Sequence, residues 1–169
     1  MLSEVSTAEL LTHLRTYSRA RADFLEQLGC AQSCRDPFAE FSEILVAQVL
    51  QASMAPSRVQ KGYDLVRSSG RRIQVRYLCN PNGQWVNRHV VHFTDEINDY
   101  ALVVFVELQV ESVLIFPRET IWQVCRLLGK RHPNQDSTLQ FTERNYETIL
   151  AEQSRFQTLA MEIYQISAR

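Results

Sequence analysis

The chain has 169 residues, a net charge of -1, 45% hydrophobic and 22% charged residues, a balance suited to one domain that buries roughly two-thirds of its unfolded surface. Its four cysteines, Cys30, Cys34, Cys79 and Cys125, show no paired CxxC spacing; Cys30 and Cys34 could share a metal but lack two further ligands at a suitable spacing, so the pair reads as small buried hydrophobes. No N-terminal apolar run of signal or membrane length precedes them, so a reducing, soluble, cytoplasmic protein with no membrane partner is expected.

In chain order, Ser6 and Glu9 have capping-box spacing, and Leu10, Leu11, Leu14, Tyr17, Phe24, Leu25 and Leu28 recur at helical intervals up to Gly29, predicting an N-terminal helix over 7–28. Asp36-Pro37 is an N-cap followed by proline at the first helical position, and Phe38, Phe41, Ile44, Leu45, Val49 and Leu50 form the apolar stripe of a second helix. After Ala55-Pro56-Ser57 the period becomes two. Tyr63 to Arg67 and Arg71 to Leu78 read as a hairpin around Ser68-Ser69-Gly70, with Ile73, Val75 and Tyr77 on one face and Arg72, Gln74, Arg76 and Leu78 on the other.

Asn80 to Gly83 interrupts the sheet, and His89 to Phe93 is expected to resume it. Tyr100 to Leu108 is an almost continuous apolar run, as in a central strand covered on both faces. Glu111 to Phe116 supplies a further strand, Pro117 opens a helix through Ile121, Val124 and Leu128, Gly129 to Ser137 is a polar loop, and 142–166 reads as a C-terminal helical segment. The pattern predicts an α/β fold, a mixed central β-sheet flanked by helices, as a single domain over 1–169.

Charge is unevenly distributed. Between Arg58 and His92 the residues Arg58, Lys61, Arg67, Arg71, Arg72, Arg76 and Arg88 face Asp64 alone, a net +6 that leaves -7 for the remainder. Such a segment suits a phosphate-facing surface, because each neutralised phosphate releases counterions and adds affinity, or else a solvated strand face.

Asp64 at a strand start, Gln74 and Arg76 at alternate positions of the next strand, and Glu43 on the preceding helix resemble the PD-(D/E)XK nuclease superfamily, whose pattern is an acidic residue, a hairpin and then E-x-K or Q-x-K. The resemblance runs from about Phe38 to Ile121 through SEILVAQVL, GYDLV, RRIQVRYL and DYALVVFVELQVESVLIFPRETI, within a core of about 36–128. It implies a restriction-endonuclease-like fold and Mg²⁺-dependent (or Mn²⁺-dependent) cleavage of DNA. Asp64, Gln74 and Glu43 would be the metal-site residues, Arg76 would stand in the lysine position, and Arg58, Lys61, Arg71, Arg72 and Arg88 would contact nucleic acid.

The chemistry supplies its own reason for the pattern. Phosphodiester cleavage uses a hard cation to polarise a phosphoryl oxygen and lower the pKa of a bound water, and Mg²⁺ needs only one or two carboxylates. Residues one apart on a strand point the same way, so Gln74 and Arg76 share a face, where Arg76 would hold a phosphate. Gln74 nevertheless offers less negative charge than a carboxylate, and Arg76 stays protonated and cannot serve as a base.

Three functions follow: an endonuclease, weakened by Gln74 and Arg76; a catalytically impaired module that binds DNA or protein on the same fold; or an oligomerising module built on its first and last helices. Double-strand cutting would require two sites, most simply in a homodimer. Asp64 capping a turn beside a solvated Gln74 and Arg76 face is the structural alternative. His89, His92 and Asp95 read as edge-strand surface, Lys130-Arg131-His132 as an exposed loop, and Trp122 as core.

Overall fold

A computed structural model describes residues 6–56, 62–80, 85, 89–130 and 137–166. Helix α1, Thr7–Gln27, starts at the expected capping box, with Ser6 and Glu9 satisfying each other's backbone donors. Helix α2, Pro37–Leu50, starts where the Asp36 side chain accepts from Phe38 N–H. Short strands β1, Ser53–Met54, and β2, Leu65–Val66, then lead into the long β3, Arg72–Asn80. Strand β4 is His89–His92, β5 Asp99–Val106 and β6 Gln109–Pro117. A 3-10 turn, Arg118–Thr120, enters α3, Ile121–Leu127. The chain closes with β7, Thr138–Phe141, α4, Glu143–Ala151, α5, Gln153–Gln157, and β8, Glu162–Gln165.

The main sheet has the order β1-β2-β3-β5-β6-β8. Only β3 and β5 run parallel, with Gln74 opposite Tyr100 and Arg76 opposite Leu102; the other pairs are antiparallel. This is the mixed sheet flanked by helices that the sequence predicts, with the apolar run of β5 buried in its middle. Glu107 and Leu108 form the two-residue link from β5 to β6 with φ of 50° and 62°.

Alternation along the strands divides the interior into two cores. On one face Ile73, Val75, Ala101, Val103, Phe105, Val113 and Ile115 pack with Val46 of α2. On the other, Leu78, Tyr100, Leu102, Val104, Leu114 and Phe116 meet Ile121 and Val124 of α3, Tyr146 and Ile149 of α4, and Phe156 of α5. Each fully buried Leu, Ile or Phe contributes about 1.5–3 kcal/mol relative to exposure, so these two layers are the main source of stability.

Three sequence expectations change. His89 to Phe93 does not resume the main sheet: β4 pairs with β7 in a separate two-stranded ribbon whose Val91, Leu139 and Phe141 join the second core. The C-terminal segment over 142–166 is not helical throughout; Ala160, at φ 59°, turns the chain into β8, which pairs with β6. Trp122 is not core, being 40% exposed.

Candidate functional site

Asp64 stands where β2 has not yet begun, one residue before Leu65. Its backbone N–H donates to the Ile73 carbonyl at 2.8 Å, fixing it against β3. Upstream, Gly62 has φ 118°, and a Cβ added there would fall 1.8 Å from Oε2 of Glu96; glycine lets the chain pass this point. Because the ladder with β2 ends beside Asp64, its side chain takes the next donor: Oδ2 accepts from Val75 N–H at 2.7 Å and from the Gln74 amide nitrogen.

Gln74 is buried and Arg76 is exposed, although they alternate on the same strand face. The Arg76 side chain, 52% exposed, places a guanidinium nitrogen 3.6 Å from Asp64 Oδ2. Glu43 approaches from α2 and is 3% exposed. Both of its oxygens accept from the Arg35 guanidinium, one of them at 2.9 Å. Arg35 also lies 3.7 Å from buried Glu40. The sequence reading missed Arg35; its signal was the eight-residue spacing to Glu43 across the Asp36-Pro37 helix start.

The charges belong to one site. Burial pushes the Asp64 carboxyl above the ordinary range, the Val75 N–H opposes that, the Glu43 charge pushes the same way as burial, and Arg76 and Arg35 pull it down. The bond to Glu43 raises the Arg35 pKa further. Asp64 therefore touches Gln74 and Arg76 directly and feels the charges of Glu43 and Arg35, while Arg35 serves two buried carboxylates, Glu43 and Glu40.

His89 adjoins this cluster instead of lying on open edge surface. Its Nε2 is 2.8 Å from the Tyr100 hydroxyl, and Tyr100 is the cross-strand neighbour of Gln74. Burial, aided by Arg76, lowers the His89 pKa to about 4, so the ring is neutral at pH 7. His92 is exposed and bonds Thr138.

The proposed nucleic-acid residues divide. Arg71 holds Asp99 through two donors, at 2.9 and 2.7 Å, and also reaches Glu119. Arg67 bridges Asp99 and Glu162. Arg72 is exposed and sits over the Tyr63 ring at 4.9 Å. Arg58, Lys61 and Arg88 lie outside the described residues, as do Arg131 and His132. Much of the basic excess counted along the sequence is thus matched by carboxylates from elsewhere in the chain. Of the two cysteines expected to be buried, Cys30 is and Cys34 is exposed; Cys125 is also buried and Cys79 half-buried.

The fit to a divalent cation is poor as the side chains stand. Among the described residues no group of three or more His, Cys, Asp or Glu is placed to hold a metal ion. Glu43 would have to release Arg35, and Gln74 would have to turn its amide to present oxygen where it now donates to Asp64. Among the described residues no helix is long and apolar enough to cross a membrane. No protein-family model matches the chain, and no curated protein matches it in sequence.

Proposed function

We propose that this chain is a catalytically impaired, restriction-endonuclease-like module that binds DNA through backbone phosphates at the Asp64 site. The observation that carries this reading is that the carboxylates are already engaged by the protein's own donors: Glu43 by Arg35, and Asp64 by Gln74, Val75 N–H and Arg76. These donors occupy carboxylate oxygens that a cation would use in a cutting enzyme, and arginine pairs well with phosphate in a bidentate geometry. Arg76, more than half exposed beside Asp64, is the phosphate contact, with Arg72 as a second cation on the same strand.

A weakened Mg²⁺-dependent endonuclease is the second reading, supported by the Asp64–Gln74 contact and by the Glu43 charge felt at Asp64. Both are tested by incubating the protein with supercoiled plasmid and Mg²⁺ or Mn²⁺, measuring binding and nicking together, with Asp64→Ala as control. Salt-dependent binding with background nicking is the expected result. Nicking that requires both metal and Asp64 would favour the enzyme; no binding at low salt would remove both readings.

A further inference from the structure

Helix α1 is joined to the body near its C-terminal end, where Leu25 is fully buried and Phe24 stacks on Phe41 of α2 with ring centroids 6.1 Å apart. The helix end is satisfied locally: at Gly29, with φ 69°, the N–H donates to the Glu26 carbonyl at 2.9 Å and the Cys30 N–H to that of Leu25 at 2.8 Å, a glycine cap of the usual kind. Arg21 is not needed for that cap. Its Nη2 reaches past the terminus and donates to the carbonyls of Ser33 and Arg35, at 3.1 and 2.7 Å.

The same two residues carry side chains that hold the buried carboxylates of α2. The Ser33 hydroxyl donates to Glu40 Oε1 at 2.5 Å and accepts from the Arg35 N–H at 3.1 Å. The Arg35 guanidinium donates to both oxygens of Glu43. A bidentate fork is geometrically demanding, so a shift of its stem weakens both bonds together. The Arg35 side chain is 36% exposed, which leaves part of that stem without packing to aim it; the aim comes from the backbone, and Arg21 holds that backbone at two points.

We infer that Arg21 is the positioning residue of a lock built into the fold: by gripping the Ser33 and Arg35 carbonyls from α1, it keeps the Arg35 fork closed on Glu43 and that carboxylate closed to a divalent cation. The inference rests on the proposed reading, in which the carboxylates are engaged by the protein's own donors, and adds the part of the chain that maintains this engagement. Helix α1 thereby acts on the site at a distance, through three successive contacts: Arg21 to the loop carbonyls, Arg35 to Glu43, and the Glu43 charge to Asp64. Loosening the first loosens the second.

Mn²⁺ binding to the full chain, read by paramagnetic resonance at neutral pH with no DNA present, tests the lock. Arg21→Met keeps the apolar stem and removes the donors; Arg19→Met removes the same charge from an exposed position of α1 and is the electrostatic control. Arg35→Ala, which opens the lock outright, should tighten Mn²⁺ binding by about 10-fold or more, and Arg21→Met by about 3-fold or more over Arg19→Met. The double variant Arg21→Met/Arg35→Ala should bind no more tightly than Arg35→Ala, because Arg21 acts only through Arg35. Asp64→Ala should abolish every gain. Urea unfolding checks that each variant folds, and Arg21→Lys, which keeps the charge and loses the planar fork, is a milder variant whose gain should lie between wild type and Arg21→Met. Flat affinity in Arg35→Ala would overturn the reading of engaged carboxylates and the lock with it. A gain in Arg35→Ala with none in the Arg21 variants, or a double variant that multiplies the two gains, would overturn the lock alone.

Discussion

Two arginine–carboxylate clusters lie close together on the main sheet, and they differ in how completely the carboxylates are held. At the start of β5, Asp99 is 3% exposed and receives two donors from Arg71, with Arg67 at 3.4 Å and Glu119 and Glu162 completing the set. At the start of β2, Asp64 is held by one backbone donor and one amide, while its nearest guanidinium stands off at 3.6 Å and is half in water. The first cluster is a clasp on Asp99; the second retains an exposed cation, Arg76, and a carboxyl raised by burial, Asp64. Similar residue types therefore tie Asp99 through two arginine donors and leave the Asp64–Arg76 pair loose and half in water.

Breaking the clasp should have the largest effect. Asp99→Ala leaves Arg67 and Arg71 facing each other without their shared anion and should cost about 2–3 kcal/mol, below the usual penalty for a severed buried pair because both guanidiniums are partly solvated. Urea unfolding measures it, and a loss under 1 kcal/mol would make the two clusters equivalent.

The next effect is on acid stability near the site. His89 has a folded pKa of about 4, below its unfolded value of about 6.5, so the unfolded state binds the proton first. Stability is fully present above pH 6.5 and is lost as pH falls toward 4, by roughly 2 kcal/mol after allowance for partial exposure. His89→Gln should flatten that part of the stability–pH curve; an unchanged slope would place the ring in water.

Smaller still, Arg35→Ala removes the partner of buried Glu43 and should cost about 1–2 kcal/mol, since Arg35 itself is one-third exposed. It should also strengthen Mn²⁺ binding, read by paramagnetic resonance, because it frees a carboxylate beside Asp64. If metal affinity stays flat while stability falls, Glu43 serves packing alone.

The least costly change is Asp64→Asn, which keeps an acceptor for Val75 N–H and should alter stability at pH 7 by less than about 1 kcal/mol. Its pH dependence has a definite sign. The folded pKa of Asp64 is raised, so the folded state holds the proton more tightly than the unfolded chain; the wild type loses stability relative to the variant as pH rises from about 3.9 through the folded value. A wild type that gains on the variant over that window would mean that Arg76 outweighs burial.

The sequence made the helix starts legible because caps are local: Ser6 with Glu9, and Asp36 with Pro37, each act within one turn. The central strand was legible because an apolar run of its length is covered on both faces. Strand β8 was hidden because Phe156, Leu159, Ile163 and Ile166 continue a helical spacing, and the break at Ala160 carries neither glycine nor proline. At β7 four residues are too few to show a period. At the site, alternation placed Gln74 and Arg76 on one strand face, and both reach Asp64. The partners of Arg67 and Arg71 could not be seen, since Asp99 and Glu162 lie 28 residues from Arg71 and 95 from Arg67 respectively. Charge summed over a sequence window counts no such long-range neutralisation.

The link between β5 and β6 has a consequence for how the sheet's longest hairpin forms. Left-handed backbone at both Glu107 and Leu108 is the pattern of a type I′ turn, which matches the twist of the strands but favours Asn-Gly. Side chains with a Cβ pay roughly 1 kcal/mol each to remain there, and Leu108 is also 56% exposed, so it recovers little through burial. The hairpin that anchors the centre of the sheet therefore closes through its strands, with its turn working against it. Replacing the pair by Asn-Gly should accelerate refolding if the hairpin forms in the transition state, and should slow unfolding if the turn tightens afterwards.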